Sequence, residues 1–493
     1  LILKNLILML KSFLTIEYEY QLINKFTSRI CKRIIFFEYK NFSLMNNSQI
    51  FNLLNKEIKT SIRSVRSFFN LLTDIIFLLF AFILVIIIFK NEAFFLMIVV
   101  LLLFPPLFYA AIKYSYSVSR LRLNYSDLLA KEFRSLLDGL KVMKIFKLSN
   151  LFMSKLNDDL LKNLRIHRNF AFITDNIRNI FELFIVILLF VFLIFYLNQN
   201  QSEKFFLSLA LFATLFLFLF KTVTSALRAL KHFMYLINQS SSLKRLIDTY
   251  NFFLSDLIKP NSKKKLISKS NLDNRIQLKN LTFSYDENNS IFQNVNLIIN
   301  KSDKVMISGS SGTGKSTLVE LLTGLNLPTS GQILVDDLDL LNINKGDWLD
   351  CIGFVGQKNF LFNKSIKKNI YDGNINASSK SYTKALEVSH TSHFLIKNKI
   401  TDSEIIQQTQ DNFSGGQLKR ISIARALIKN PKILILDEAT NEFEKMLEEK
   451  IIKDIINSYP DITIIFISHN PEIKKFCNKR FIIHNNTILE EKV

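Results

Sequence analysis

The run KVMISGSSGTGKSTLVELL, residues 304–322, decides how the second half of this chain folds. Lys304 to Ser308 is short, apolar and partly β-branched, which reads as a buried strand, whereas Thr317 to Leu322 carries a helical pattern. Between them, Gly309, Ser310, Ser311, Gly312, Thr313, Gly314, Lys315 and Ser316 have the spacing G-x-x-x-x-G-K-[ST]. Strand, loop and helix in that order form a phosphate-binding loop. Its glycines let backbone N–H groups cradle phosphate oxygens at a helix N-terminus, Lys315 supplies charge to the terminal phosphates, and the Ser316 hydroxyl is a Mg²⁺ ligand.

Further along, Ile433 to Leu436 is a second strand pattern, and it ends in Asp437 and Glu438. A carboxylate at such a strand end suits Mg²⁺, here Asp437, and Glu438 beside it suits orienting or deprotonating a water. Upstream, Phe413, Ser414, Gly415, Gly416 and Gln417 precede a helical run from Ile421 to Leu427. Paired glycines at a helix start again offer N–H groups to an anion.

These residues, in this order, resemble the ATP-binding domain of an ABC transporter across nearly all of residues 276–493. The resemblance implies roles that composition and spacing do not give. Ser414, Gly415, Gly416 and Gln417 match the signature motif, with Phe413 where Leu is usual, and would contact the ATP held by the loop 309–316 of the opposite subunit. Gln357, after the strand-like Ile352 to Val355, stands at the family's glutamine that links Mg²⁺ and water to the membrane domain. His469, after Thr463 to Ile467, stands at the switch histidine, and Tyr285 at the aromatic that stacks on adenine. The implied catalytic set is Glu438, His469 and Gln357; the metal set is Ser316, Gln357 and Asp437; the cofactors are ATP and Mg²⁺. After Asp437-Glu438 the family continues Ala-Thr-Ser-Ala-Leu-Asp, whereas this chain has Asn441, Glu442, Phe443 and Glu444 in the last four places.

The first half has another texture. The chain of 493 residues has a net charge of +21, 49% apolar residues, 46 Phe and a mean hydropathy of +0.20. So much apolar sequence excludes intrinsic disorder, and 12 Gly with 7 Pro exclude collagen-like classes. Cys31, Cys351 and Cys477 are too far apart to frame a disulfide or thiolate zinc module. Split at Arg275, the first part has 37 Lys+Arg against 17 Asp+Glu and the second 26 against 25. The basic excess therefore lies on the apolar half, the reverse of what a nucleic-acid binder needs.

Four runs there, Leu72–Phe89, Ala93–Ile112, Ile180–Leu197 and Phe205–Phe220, suit a bilayer core of roughly 30 Å, which takes about 20 helical residues. Lys90 to Glu92 joins the first pair into a hairpin, and Asn198 to Lys204 the second. Each connection carries one Lys, whereas Lys113 to Arg168 carries twelve Lys+Arg, so the long stretch faces the cytoplasm. Arg178 and Glu182 are spaced i, i+4 at the cytoplasmic end of the third run.

A membrane domain fused to one ATP-binding domain resembles an ABC half-exporter. The expected fold is an α-helical transmembrane bundle (residues 1–250), a linker (251–275) and an α/β P-loop ATPase domain (276–493). Because the chain begins at Leu1 within an apolar run, the family's first span and most of its second would lie upstream. Coupling helices are expected near Tyr39–Met45 and Lys144–Phe152, the latter following Glu132 and Gly139. The resemblance implies an integral protein of the bacterial inner membrane that pairs with a second, identical or similar half-transporter. It would export or flip a lipid, glycolipid or other amphipathic substrate; a peptide or drug exporter, or a soluble ABC ATPase, are the alternatives.

Overall fold

The computed structural model describes residues 2–37, 39–43, 47–199, 205–258, 267–268, 271–286, 289–407, 412–439 and 443–491, and inside the helices not every side chain. The chain divides into two compact units: Leu1–Phe37 with Asn41–Lys259, and Glu38–Lys40 with Pro260–Val493.

The first unit is helical: α1 (Ile2–Phe36), α2 (Tyr39–Ser43), α3 (Asn47–Asn52), a π-helical turn (Leu53–Glu57), α4 (Ile58–Ile145), α5 (Ser149–Gln199) and α6 (Phe205–Ile258). A straight α4 would be about 132 Å long at about 1.5 Å per residue. Yet Lys56 Nζ, just before it, donates to Ser126 Oγ at 3.3 Å. Arg245 spans the same gap, donating to Glu57 Oε1 and Asp127 Oδ2, each at 2.8 Å. The chain therefore reverses within α4. Halfway between 56 and 126 lies residue 91, inside the expected Lys90 to Glu92 connection.

α6 lies along this hairpin and is held by polar groups. The Asp74 carboxylate accepts from Ser225 Oγ at 3.2 Å and Arg228 Nε at 3.4 Å. Farther along, Arg122 is buried and donates to Asn238 O, Gln239 Oε1 and Ser242 Oγ at 2.9–3.1 Å. A buried guanidinium is stable only when so satisfied.

On the outside the pattern inverts. Ile76, Leu79, Phe80, Ile83 and Ile87, spaced along one face of α4, are each more than half exposed. Such a row is disfavoured in water and favoured against lipid or another apolar surface. Among the described residues one run, Ile50–Leu84, is long and apolar enough to cross a membrane. The other three expected runs are helical in their backbone, but most of their side chains, and that of Arg178 just before the third, lie outside the described residues.

Two expectations change in detail. α6 continues to Ile258, past the expected boundary at 250. Lys144–Phe152 is not a separate helix: α4 stops at Ile145, Lys147 adopts a left-handed φ of 57°, Leu148 N–H donates back to Met143 O at 2.9 Å, and α5 begins at Ser149. That bond closes the helix end and leaves only a short turn. α2 falls within Tyr39–Met45, where the other coupling helix is expected; residues 44–46 are outside the described ones.

The second unit has two sheets. β1 (Arg275–Asp286), β2 (Asn289–Asn300), β4 (Ser330–Val335) and β5 (Leu338–Asp339) form an antiparallel sheet in the order β2-β1-β4-β5. The other sheet has the order β10-β9-β3-β8-β7-β6, built from β10 (Thr487–Glu491), β9 (Lys479–His484), β3 (Lys304–Ser308), β8 (Thr463–Ile467), β7 (Ile433–Asp437) and β6 (Ile352–Val355). All of its pairings are parallel except β10 with β9. Every residue of β7 and β8 is buried, as expected for parallel strands covered on both faces.

One core packs α7 (Lys315–Leu322) between the sheets, with Phe283, Phe292, Leu318 and Trp348 of α8 (Lys345–Asp350). Trp348 satisfies its indole N–H on Leu322 O at 3.0 Å. The opposite face of the parallel sheet packs α9 (Ile366–Tyr371), α10 (Ser379–Val388), α11 (Thr391–Lys397), α12 (Gly415–Leu427) and α13 (Lys445–Ser458).

Candidate nucleotide-binding site

Strand order assembles the site. Val355, Leu436, Phe466 and Met306 stand level across β6, β7, β8 and β3. The residues just beyond them leave the sheet at one edge: Gln357 after β6, Asp437 and Glu438 at β7, His469 after β8, Gly309 after β3. In open parallel sheets this carboxyl edge is where ligands bind.

The loop from Gly309 to Gly314 is shaped by what side chains cannot do. A Cβ on Gly309 would lie 2.8 Å from Thr313 Oγ1 and 2.9 Å from Ile483 O, and Gly314 has φ +100°. Lys315 Nζ donates to Gly309 O at 2.8 Å and Ser310 O at 2.9 Å, so the lysine folds over its own loop. Ser311 and Ser316 are exposed, Ser316 in the first turn of α7, whereas Thr317 is buried.

Tyr285, at the end of β1, is fixed to the flank of α7. Its hydroxyl donates to Glu320 Oε2 at 2.7 Å and lies 3.3 Å from Thr317 Oγ1, while its ring meets Phe283 edge-on at 5.0 Å. Burial, with the Glu320 carboxylate beside it, pushes the phenol up to about 12. Glu320 also accepts from Asn326 Nδ2 at 2.8 Å. Neither anchor has a signal in the sequence.

Glu438 has the unusual backbone of the site, φ +49°, with its N–H donated to Ile467 O at 2.9 Å. A non-glycine residue held there costs on the order of 1–3 kcal/mol. The kink turns the carboxylate back over the sheet edge, where Gln357 Nε2 donates to its Oε2 at 2.8 Å and His469 Nε2 lies 3.9 Å from its Oε1. Asp437 is buried; burial first, then the neighbouring Glu438 carboxylate, raise its carboxyl above the usual range, with Lys419 and Lys315 opposing.

Since Gln357 commits its N–H₂ to Glu438, its side-chain oxygen remains as an acceptor. The Ser316 hydroxyl and the Asp437 carboxylate are oxygen donors as well, and oxygen donors are the chemistry that suits Mg²⁺.

The signature residues are elsewhere. Ser414 caps α12, its Oγ accepting from Gln417 N at 3.3 Å while Gln417 Oε1 accepts from Ser414 N at 2.9 Å. Gly415 and Gly416 thereby open the helix, as their sequence suggests. Ser414 to Gln417 line an open groove of about 810 Å³ with Lys397, Arg420, Phe443 and Glu444, into which no residue of the 309–316 loop enters. Two cations there, Lys397 and Arg420, were not legible as site residues. Asn441 and Glu442 of the altered loop lie outside the described residues; Glu444 is the N-cap of α13 without a side-chain capping bond.

Residues 292–441 match a family model described as ABC transporter, so this unit is an ABC transporter ATP-binding domain. The chain is similar to an alpha-hemolysin translocation ATP-binding protein of Escherichia coli O157:H7, 38% identical over 44% of this chain and 31% of that protein. A microcin-J25 export ATP-binding/permease protein of Escherichia coli is 27% identical over 57% and 51%. An ATP-dependent lipid A-core flippase of Syntrophus aciditrophicus is 31% identical over 45% and 36%. The chain thus spans about a third to a half of these relatives. A bacterial Atm1-family ABC exporter solved with ATP bound shares the fold, with a TM-score of 0.73, 18% identity and coverage of 98% of this chain and 84% of that one. A helical unit followed by an ATP-binding domain is also the chain order of that exporter fold.

Proposed function

We propose that the chain is one subunit of an ATP-hydrolysing exporter or flippase that moves a lipid, glycolipid or other amphipathic substrate out of the cytoplasm or the inner leaflet. The observation that carries the reading is the strained Glu438, aimed over the strand edge within reach of Gln357 and His469, on the same sheet edge from which the loop of Lys315 leaves β3. In this reading Tyr285 stacks on adenine, the N–H groups of residues 309–317 and Lys315 bind the phosphates, and Glu438 takes a proton from the attacking water. Gln357 holds that water and His469 senses the terminal phosphate. Mg²⁺, held by Ser316, Asp437 and Gln357, would neutralise phosphate charge.

A second subunit would complete the site. Ser414 to Gln417, with Lys397 and Arg420 beside them, lie in a groove apart from the loop, which suits contact with ATP bound on a partner. The exposed apolar stripe of α4 and the basic stretch 113–168 support an integral protein with its ATPase in the cytoplasm, as in a bacterial inner membrane. The test is Mg²⁺-ATP turnover by the purified full chain in lipid nanodiscs, with a lipid and peptide screen for stimulation. Lys315→Ala should weaken ATP binding by about ten- to a hundredfold and remove turnover, because it deletes a charge-assisted contact of about 1.5–3 kcal/mol. Equal turnover in this variant would refute the assignment of the loop.

A further inference from the structure

We propose that Lys419 is a positioning residue that fixes the water-binding glutamine to the signature helix of the same subunit. Lys419 lies in α12, one turn after its capped start, and is fully buried. Its ammonium donates to Gly356 O at 2.9 Å and to Gln357 O at 2.8 Å. The side chain of the same Gln357 donates to Glu438 at 2.8 Å. One buried cation therefore joins the helix that begins at Ser414 to the backbone that aims the amide at the base.

Packing alone does not account for a lysine here. Its neighbours along α12, Ile421, Ile423 and Ala424, are wholly buried, and a methionine would fill the space without desolvating a charge. An ammonium taken from water costs several kcal/mol unless its donors are met. The Gly356 and Gln357 carbonyls take two of its three N–H donors. The loop leaving β6 is thereby held at two successive peptide groups, which fixes where the Gln357 side chain starts. Any shift of α12, such as closure on a partner's nucleotide would cause, is carried to Gln357 through this contact. The inference rests on the ATPase reading above and extends it from the residues that touch the reacting atoms to one that does not.

The test uses the full chain in lipid nanodiscs, with Lys419→Met made alone and in a Gln357→Ala background. Turnover of Mg²⁺-ATP should fall roughly ten- to a hundredfold in the single variant, the scale of a displaced catalytic group, with KM within about twofold of the parent. In the Gln357→Ala background the same change should have little further effect, only what the Lys419 charge contributes at Asp437, because the side chain it positions is already gone. Lys419→Gln, which keeps a shorter donor, should be intermediate, and it stands in if the methionine variant does not fold. Amide hydrogen exchange should rise in residues 356–359 and stay unchanged in α7. Unchanged turnover and exchange, or losses that multiply across the two backgrounds, would overturn the proposal. If the parent chain hydrolyses no ATP, the ATPase reading fails, while the exchange measurement still decides whether Lys419 holds the loop.

Discussion

The two units of this protein place their charges in opposite ways. In the ATP-binding domain, chemistry-bearing side chains converge on the open edge of a sheet whose strands β7 and β8 are buried throughout. In the helical unit Arg122 and Arg245 turn inward, Arg122 onto α6 acceptors and Arg245 between Glu57 and Asp127, while Ile76, Phe80 and Ile87 face outward. The same physics gives both. A group is buried where the surroundings satisfy it better than the solvent does, and the outer solvent of α4 is apolar.

The contrast breaks most visibly at Arg245. Removing it leaves Glu57 buried without its cation and takes away the guanidinium that both Asp127 oxygens bond, so Arg245→Met should destabilise the helical unit by about 3–5 kcal/mol. ATP affinity should be unchanged. Thermal unfolding in nanodiscs, read alongside nucleotide binding, checks both; a variant as stable as its parent would mean the network is not structural. A smaller effect is expected at Ser414, where truncation removes one half of a reciprocal cap. Ser414→Ala should cost the ATP-binding domain about 1 kcal/mol. A loss well above that would show Ser414 doing more than starting α12.

What could be read from sequence follows from the range of the interactions. Residues 304–322 encode strand, loop and helix through neighbours in the chain, and β3, β6 and β8 have the limits their apolar runs imply. Asp437 and Glu438 follow from the strand pattern that ends in them, Gln357 and His469 only from resemblance to a family, and strand order brings all four to one edge. The rest depends on distant partners. The left-handed φ of Glu438 is fixed by Ile467, the burial of Lys419 by two carbonyls some sixty residues away, and the reversal of α4 by Arg245. None of these leaves a periodic signal. A coupling helix near Lys144–Phe152 is implied by resemblance alone; a backbone bond from Leu148 to Met143 ends α4 and leaves a turn before α5.

Glu438 is the point on which the account turns, and single-turnover hydrolysis of Mg²⁺-ATP by the full chain and by Glu438→Gln measures it most directly. A general base contributes about 10²–10⁴ in rate. The glutamine variant should therefore bind ATP as tightly as the parent and hydrolyse it at least about a hundredfold more slowly. Hydrolysis at the parental rate with binding intact would contradict the central claim.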